Sequence, residues 1–204
     1  MVLGVDFDNT IVRYDELFHR VAVERGLIPA TMPARKNEIR DFLRAADREQ
    51  DWTELQGYVY GPRMAEARPF PGVLEFFAHA VRRKISIYII SHKTRKAVLG
   101  PAYDLQKTAL AWLAAQGFFD PQRVGLSSQH VRFGETRAEK IQHIRETGCT
   151  LFIDDLEETF LEPAFPHHVV QILFGHHTAP ARLPGVKPLA DWTQISEYVF
   201  HPAC

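Results

Sequence analysis

The chain has 204 residues, of which 46% are apolar and 24% charged, and its formal net charge is −1. That length builds one domain with a sizeable core, or one domain carrying a small insertion. So balanced a charge gives no footing for nucleic acid as the main partner, and no apolar run is long enough to span a membrane.

In chain order, "MVLGVDFDNT" opens with a short buried strand over residues 2–7 that ends in paired acids, Asp6 and Asp8. Acids this early, without a basic segment and an apolar core before them, do not read as a signal peptide. Residues 15–68 then change character. "DELFHRVAVERG" puts Leu17, Phe18, Val21 and Ala22 on one helical face and stops near Gly26. "PARKNEIRDFLRAAD" does the same with Ile39, Phe42, Leu43 and Ala46, and Pro33 suits a first helical turn. "DWTELQGYVYGPRMAEA" is aromatic and helical, interrupted near Gly61 and Pro62. No strand pattern occurs in this stretch.

An alternation follows. "PFPGVLEFFAHAVRRK" is a turn and a helix, and "ISIYIIS" (residues 85–91) is an apolar strand with a polar end. "YDLQKTALAWLAAQG" is a helix whose apolar side carries Leu105, Leu110, Trp112 and Leu113. "RVGLSS" reads as a short strand, and "ETRAEKIQHIRETG" as a helix capped by Thr136 or Glu135. "CTLFIDD" is a buried strand ending in Asp154 and Asp155, and "HVVQILFG" is the last clear strand. Strands separated by helices imply an α/β fold, a Rossmann-like doubly wound parallel sheet. Two cysteines, Cys149 and Cys204, make no disulfide framework. Cys149 reads as a buried thiol, and the setting as reducing and cytoplasmic.

In such a sheet, ligands bind beyond the carboxyl ends of the strands. Here those ends deliver Asp6 and Asp8, then Ser91 followed by His92, Lys93 and Thr94, then Asp154 and Asp155, while Lys140 lies on the helix feeding the last pair. Each has an ordinary explanation alone. An Asp or Ser after a strand is commonly a cap or a turn former, and a lysine early in a helix is commonly solvated. Together they are harder to dismiss. Four converging carboxylates without a cation would repel one another at a dry site, and a hard divalent cation such as Mg²⁺ resolves that. Ser91 and Lys140 add a hydroxyl and a positive charge for the outer oxygens of a phosphate.

"DFDNT" (residues 6–10), Ser91 after "IYII", Lys140 in "RAEKIQHI" and "LFIDD" resemble, in order, the four motifs of the haloacid dehalogenase superfamily. The resemblance covers nearly the whole chain outside residues 15–68, which fall where that family inserts a helical cap; "RPFPGVLEFF" is similar to the re-entry into the core. It implies a core domain of residues 1–14 and 69–204 and a cap of residues 15–68. It implies that Asp6 is the nucleophile, forming an aspartyl-phosphate, and that Asp8 is the acid that protonates the leaving alcohol and later the base that activates water. Asp6, the backbone carbonyl of Asp8, and Asp154 or Asp155 would hold Mg²⁺. Ser91 and Lys140, with Asn9 and His92 beside them, would bind the phosphoryl group, and Thr10 would stabilise the turn. On a strand, residues two apart share a face, so both first acids can address one substrate. An acid at Asp8 points to a phosphatase, because the dehalogenases lack one there and the cation-pumping ATPases carry Thr. Asn9 stands where the family usually has Gly.

The cap leaves room for a small phosphorylated metabolite. His19, Tyr58, Tyr60, Arg63 and Lys93 are candidates for substrate specificity, as are Arg35 and Lys36; each taken singly reads first as an ordinary helix or loop residue. "SHKTRKAVLGPAYDLQKTALAWL" is similar to a stretch found near polysaccharide-type genes, which implies a sugar phosphate first and a nucleotide monophosphate second. The pairs His167-His168 and His176-His177 read as loop residues rather than metal ligands, because strand neighbours face opposite ways. The expected activity is therefore a Mg²⁺-dependent phosphatase. The alternatives are a phosphotransferase or phosphomutase using the same residues, and a silent phosphate-ligand binder.

Overall fold

A computed structural model of the chain describes residues 1–175 and 178–201. His176, His177 and Cys204, singled out above, lie outside the described residues. The elements are β1 (Val2–Val5), β2 (Val12–Arg13), α1 (Asp15–Glu24), α2 (Lys36–Ala45), α3 (Glu49–Tyr60), β3 (Arg68–Pro69), α4 (Val73–Arg82) and β4 (Ser86–His92). They continue with α5 (Leu105–Ala115), β5 (Val131–Gly134), α6 (Arg137–Glu146), β6 (Leu151–Asp154), α7 (Glu157–Phe160), β7 (Val170–Phe174), β8 (Lys187–Leu189) and α8 (Trp192–Phe200). Contacts divide the chain into two compact units, one of residues 1–12, 69–93 and 114–204, the other of residues 13–68 and 94–113.

The first unit holds a six-stranded sheet in the order β5-β4-β1-β6-β7-β8, parallel throughout. This is the α/β, Rossmann-like architecture expected from the alternation. The chain runs outward from β1 to β4 and β5, then returns to the other side of β1 as β6. The carboxyl ends of β4, β1 and β6 are therefore neighbours where the order reverses. Strand alternation puts Gly4, Ile90, Phe152 and Leu173 on the face covered by α6, where Ile90, Phe152 and Leu173 pack with Ile141, Ile144, Cys149 and Phe165. On α4 and α8, Phe76 lies 4.8 Å from Trp192 and 5.0 Å from Phe200 between ring centroids. Trp192 also meets Phe174 at the end of β7.

Gly4 has a packing reason. A Cβ there would lie 2.5 Å from Cδ2 of Phe152 and 2.8 Å from Sγ of Cys149, so β1 passes under the Phe152 ring only without a side chain. Cys149 is a free, buried thiol, as its place before an apolar run predicts, and burial raises its pKa.

In the second unit α1, α2 and α3 bury Leu17, Phe18, Val21, Ile39, Leu43, Trp52 and Leu55. Phe42 and Ala46, placed on the apolar face by periodicity, are exposed, and so is Leu110 of α5. Residues 94–113 group with these helices, whereas the sequence assigns them to the sheet domain. Trp112 Nε1 donates to the Ala67 carbonyl at 2.9 Å and Thr108 Oγ1 to the Tyr60 carbonyl at 2.9 Å.

The strand expected in "RVGLSS" is absent. Val124 and Gly125 both donate backbone N–H to the Asp120 carbonyl, Gly125 takes φ 75°, and Ser127 caps a 3₁₀ turn at Ser128–His130. The pairing strand is β5, a few residues later. Four further elements have no counterpart among the predicted ones. The β2–β3 pair and β8 are too short for a period, and α8 lies beyond the last strand predicted.

Candidate active site

Asp6 follows β1 and donates its backbone N–H to the Ile153 carbonyl at 2.9 Å, which sets it beside Asp154. Strand alternation turns both acids toward α6. Thr136 starts that helix, its hydroxyl accepting from Glu139 N–H, while the Glu139 carboxylate accepts from Glu135 N–H. This reciprocal cap makes Lys140 the fourth residue of α6. The lysine is 3% exposed and reaches between the acids, with Nζ donating at 2.6 Å to Asp6 Oδ1 and at 2.6 Å to Asp154 Oδ2. Ser91, near the end of β4, donates to the same Asp6 Oδ1 at 2.9 Å. The other Asp6 oxygen takes no hydrogen bond from the described residues. Asp154 Oδ1 accepts from Leu156 N–H at 3.0 Å, and half-buried Asp155 accepts from the Thr10 hydroxyl at 3.4 Å.

Burial pushes the Asp6 carboxyl up to about 7; Lys140 opposes that rise, and Asp154 and Asp8 add to it. Burial alone would lower the Lys140 pKa, but Asp154 and then Asp6 outweigh it and hold the group above the usual lysine range. Lys140 is thus a fixed cation shared by two carboxylates, and its single charge does not balance Asp6, Asp154 and Asp155 together. These three each offer an oxygen, all within 4.8 Å of one another. Clustered hard oxygen donors with surplus negative charge fit a hard divalent cation.

Asp8 is placed differently from the two-residue alternation. The strand stops at Val5, so Asp8 belongs to a turn, bridged to Val12, with Asn9 in the left-handed region at φ 57°. Its carboxylate is not in the three-acid cluster. Both of its oxygens accept from Lys93 Nζ, at 3.0 Å and 2.8 Å.

No protein-family model and no curated protein matches the chain. Solved structures do. A predicted phosphoglycolate phosphatase from Haemophilus somnus 129pt superposes with a TM-score of 0.61 at 15% identity, over 97% of this chain and 96% of that one. A HAD-family hydrolase from Deinococcus radiodurans R1, with bound phosphate and sodium, gives 0.59 at 14% identity over 97% and 93%. A HAD-superfamily hydrolase from Ehrlichia chaffeensis gives 0.56 at 10% identity over 97% and 94%. The chain has the fold of the haloacid dehalogenase superfamily.

On this haloacid dehalogenase fold, the expected residues Asp6, Ser91, Lys140, Asp154 and Asp155 come together at the carboxyl ends of β1, β4 and β6. Asn9 forms the turn beside them. His92 is exposed, and its Nε2–H donates to the Glu135 carbonyl at 3.1 Å. Partial desolvation lowers its pKa, and the nearby charges of Lys140 and Arg137 lower it further. The remaining specificity candidates lie in the helical unit. Arg63 pairs with Glu24 at 2.6 Å and with Glu66. Tyr58 lies under Arg25 and Arg63, and Tyr60 packs edge-on to Tyr14 and Phe18 with Lys36 Nζ 5.5 Å from its ring centre. His19 keeps a buried Nε2 with no hydrogen-bond partner among the described residues. Arg35 pairs with Glu38 on the surface. His167 and His168 are exposed turn residues. Sequence reasoning missed the pairing of Lys93 with Asp8. The available signal was a lysine two positions after Ser91, on the same side of an extended segment.

Proposed function

We propose that the chain is a Mg²⁺-dependent phosphatase that hydrolyses a small phosphate monoester, a sugar phosphate or a nucleotide, through an aspartyl-phosphate. The observation that carries this reading is the anchoring of one oxygen of buried Asp6 by Ser91 and Lys140, within reach of the oxygens of Asp154 and Asp155. The other Asp6 oxygen is the attacking atom. It bonds to phosphorus as the ester P–O bond breaks, and the proton on Asp8 goes to the leaving oxygen. Water then attacks the phosphoryl group, its proton returns to Asp8, and the Asp6–phosphorus bond breaks. Lys140 keeps a third N–H, beyond those given to Asp6 and Asp154, for an outer phosphoryl oxygen through both steps, and Ser91 turns its one hydroxyl proton from Asp6 to another as the phosphate binds.

Asp6, the Asp8 carbonyl, and Asp154 or Asp155 would hold the magnesium ion. When bound it offsets the negative charge that otherwise keeps a carboxylate and a phosphate apart. The phosphate reported with the Deinococcus relative and the phosphatase designation of the Haemophilus relative support this reading. Residues 15–68 serve as the cap, and the buried free thiol fits a reducing cytoplasm. Hydrolysis of p-nitrophenyl phosphate tests the proposal. Turnover is expected to need Mg²⁺ and to stop with EDTA, and kcat to fall at least ~10²-fold in Asp6→Asn and, through the loss of the base for the second step, in Asp8→Asn. Full activity in EDTA, or in Asp6→Asn, would refute it.

A further inference from the structure

Lys93 is the least expected charge of the sheet unit. Its side chain is 2% exposed, and it binds both oxygens of Asp8, whose side chain is 21% exposed. Its backbone is also fixed, with N–H donating to the Gly134 carbonyl at 2.8 Å, while Nζ lies 5.4 Å from the Phe7 ring centre. A surface lysine pairs loosely and gains little from it. A buried ammonium on a two-point contact leaves the carboxylate little freedom to rotate.

We propose that Lys93 is a positioning residue for Asp8, holding its carboxyl group at the angle required for proton transfer; this rests on the phosphatase reading above. One Asp8 oxygen stays on Nζ while the other carries the proton. In the first step that proton goes to the leaving oxygen as the ester bond breaks. In the second, a water proton arrives on the same oxygen as the Asp6–phosphorus bond breaks. Lys93 itself neither gains nor loses a proton.

A series of leaving groups on the full chain with Mg²⁺, from p-nitrophenyl phosphate to glycerol 2-phosphate, separates positioning from phosphate binding. Nitrophenolate departs without a proton, whereas an alkoxide does not. Lys93→Met is therefore expected to lower kcat/KM about 30-fold or more for glycerol 2-phosphate and less than about threefold for p-nitrophenyl phosphate. Inhibition by inorganic phosphate should be unchanged. Acid-quenched protein should carry more phosphoenzyme than wild type, because the second step also uses Asp8. In an Asp8→Asn background, Lys93→Met should bring no further loss.

An equal loss along the series with weaker inhibition by phosphate would overturn the proposal in favour of direct phosphoryl binding. Unchanged kinetics, or a full additional loss in the Asp8→Asn background, would overturn it as well. If Lys93→Met does not fold, Lys93→Arg carries the same comparison. The guanidinium keeps the charge but meets the carboxylate from another distance, so the alkyl substrate should again lose more than the aryl one, and a uniform loss overturns the idea. Wild-type protein with no Asp6-dependent turnover of any member would sink the phosphatase reading and this inference together. Uniform Lys93→Met losses in an Asp6-dependent enzyme sink only the inference.

Discussion

Asn9 holds the turn after β1 at φ 57°. Glycine adopts this region freely, asparagine with little strain, and a β-branched residue only at a penalty. That explains how Asn stands where the resembling motif usually has Gly. Urea unfolding should show Asn9→Gly within about 0.5 kcal/mol of wild type and Asn9→Val destabilised by roughly 1–2 kcal/mol. Equal stabilities would remove strain as the reason for the choice. Lys140 is the more consequential residue. It is the cation between buried Asp6 and Asp154, so replacing it strands two facing carboxylates. In metal-free protein, Lys140→Met should lose about 3–5 kcal/mol of unfolding free energy. A melt indistinguishable from wild type would mean that the ammonium does not hold the acids together.

At the scale of elements, β1 depends on the missing side chain at Gly4. Gly4→Ala would drive a methyl group into Phe152 and Cys149 and should cost about 1–3 kcal/mol in chemical denaturation. A neutral effect would mean that the Phe152 ring has room to move. Elements with a strong local signature were legible in the sequence. The apolar runs became β1, β4, β6 and β7, and the Thr136 cap was readable from its spacing to Glu139. "RVGLSS" misled because alternation of Val124 and Leu126 is compatible with a turn when Gly125 takes a positive φ and Asp120 gathers the backbone N–H groups. Phe42 misled because periodicity marks a face and not what covers it. Lys93 was visible as a residue, but its partner across 85 positions depends on how β4 ends beside the turn after β1.

At the scale of the molecule, the parallel order of β4, β1 and β6 turns four scattered stretches into one site. The sequence carried that much because the four motifs stand at successive strand ends and on the helix before the last. It did not carry the grouping of residues 94–113 with the helical unit, which depends on Trp112 and Thr108 meeting backbone carbonyls about fifty residues earlier. The central claim is that this convergence makes Asp6 a nucleophile, and it is tested most directly by trapping the phosphoenzyme. Protein is mixed with p-nitrophenyl phosphate and Mg²⁺, quenched in acid within the first turnover, and mapped by peptide mass spectrometry. A phosphoryl group is expected on Asp6, absent in Asp6→Asn and in EDTA. A phosphoryl group on another residue, or turnover that persists in Asp6→Asn, would contradict it.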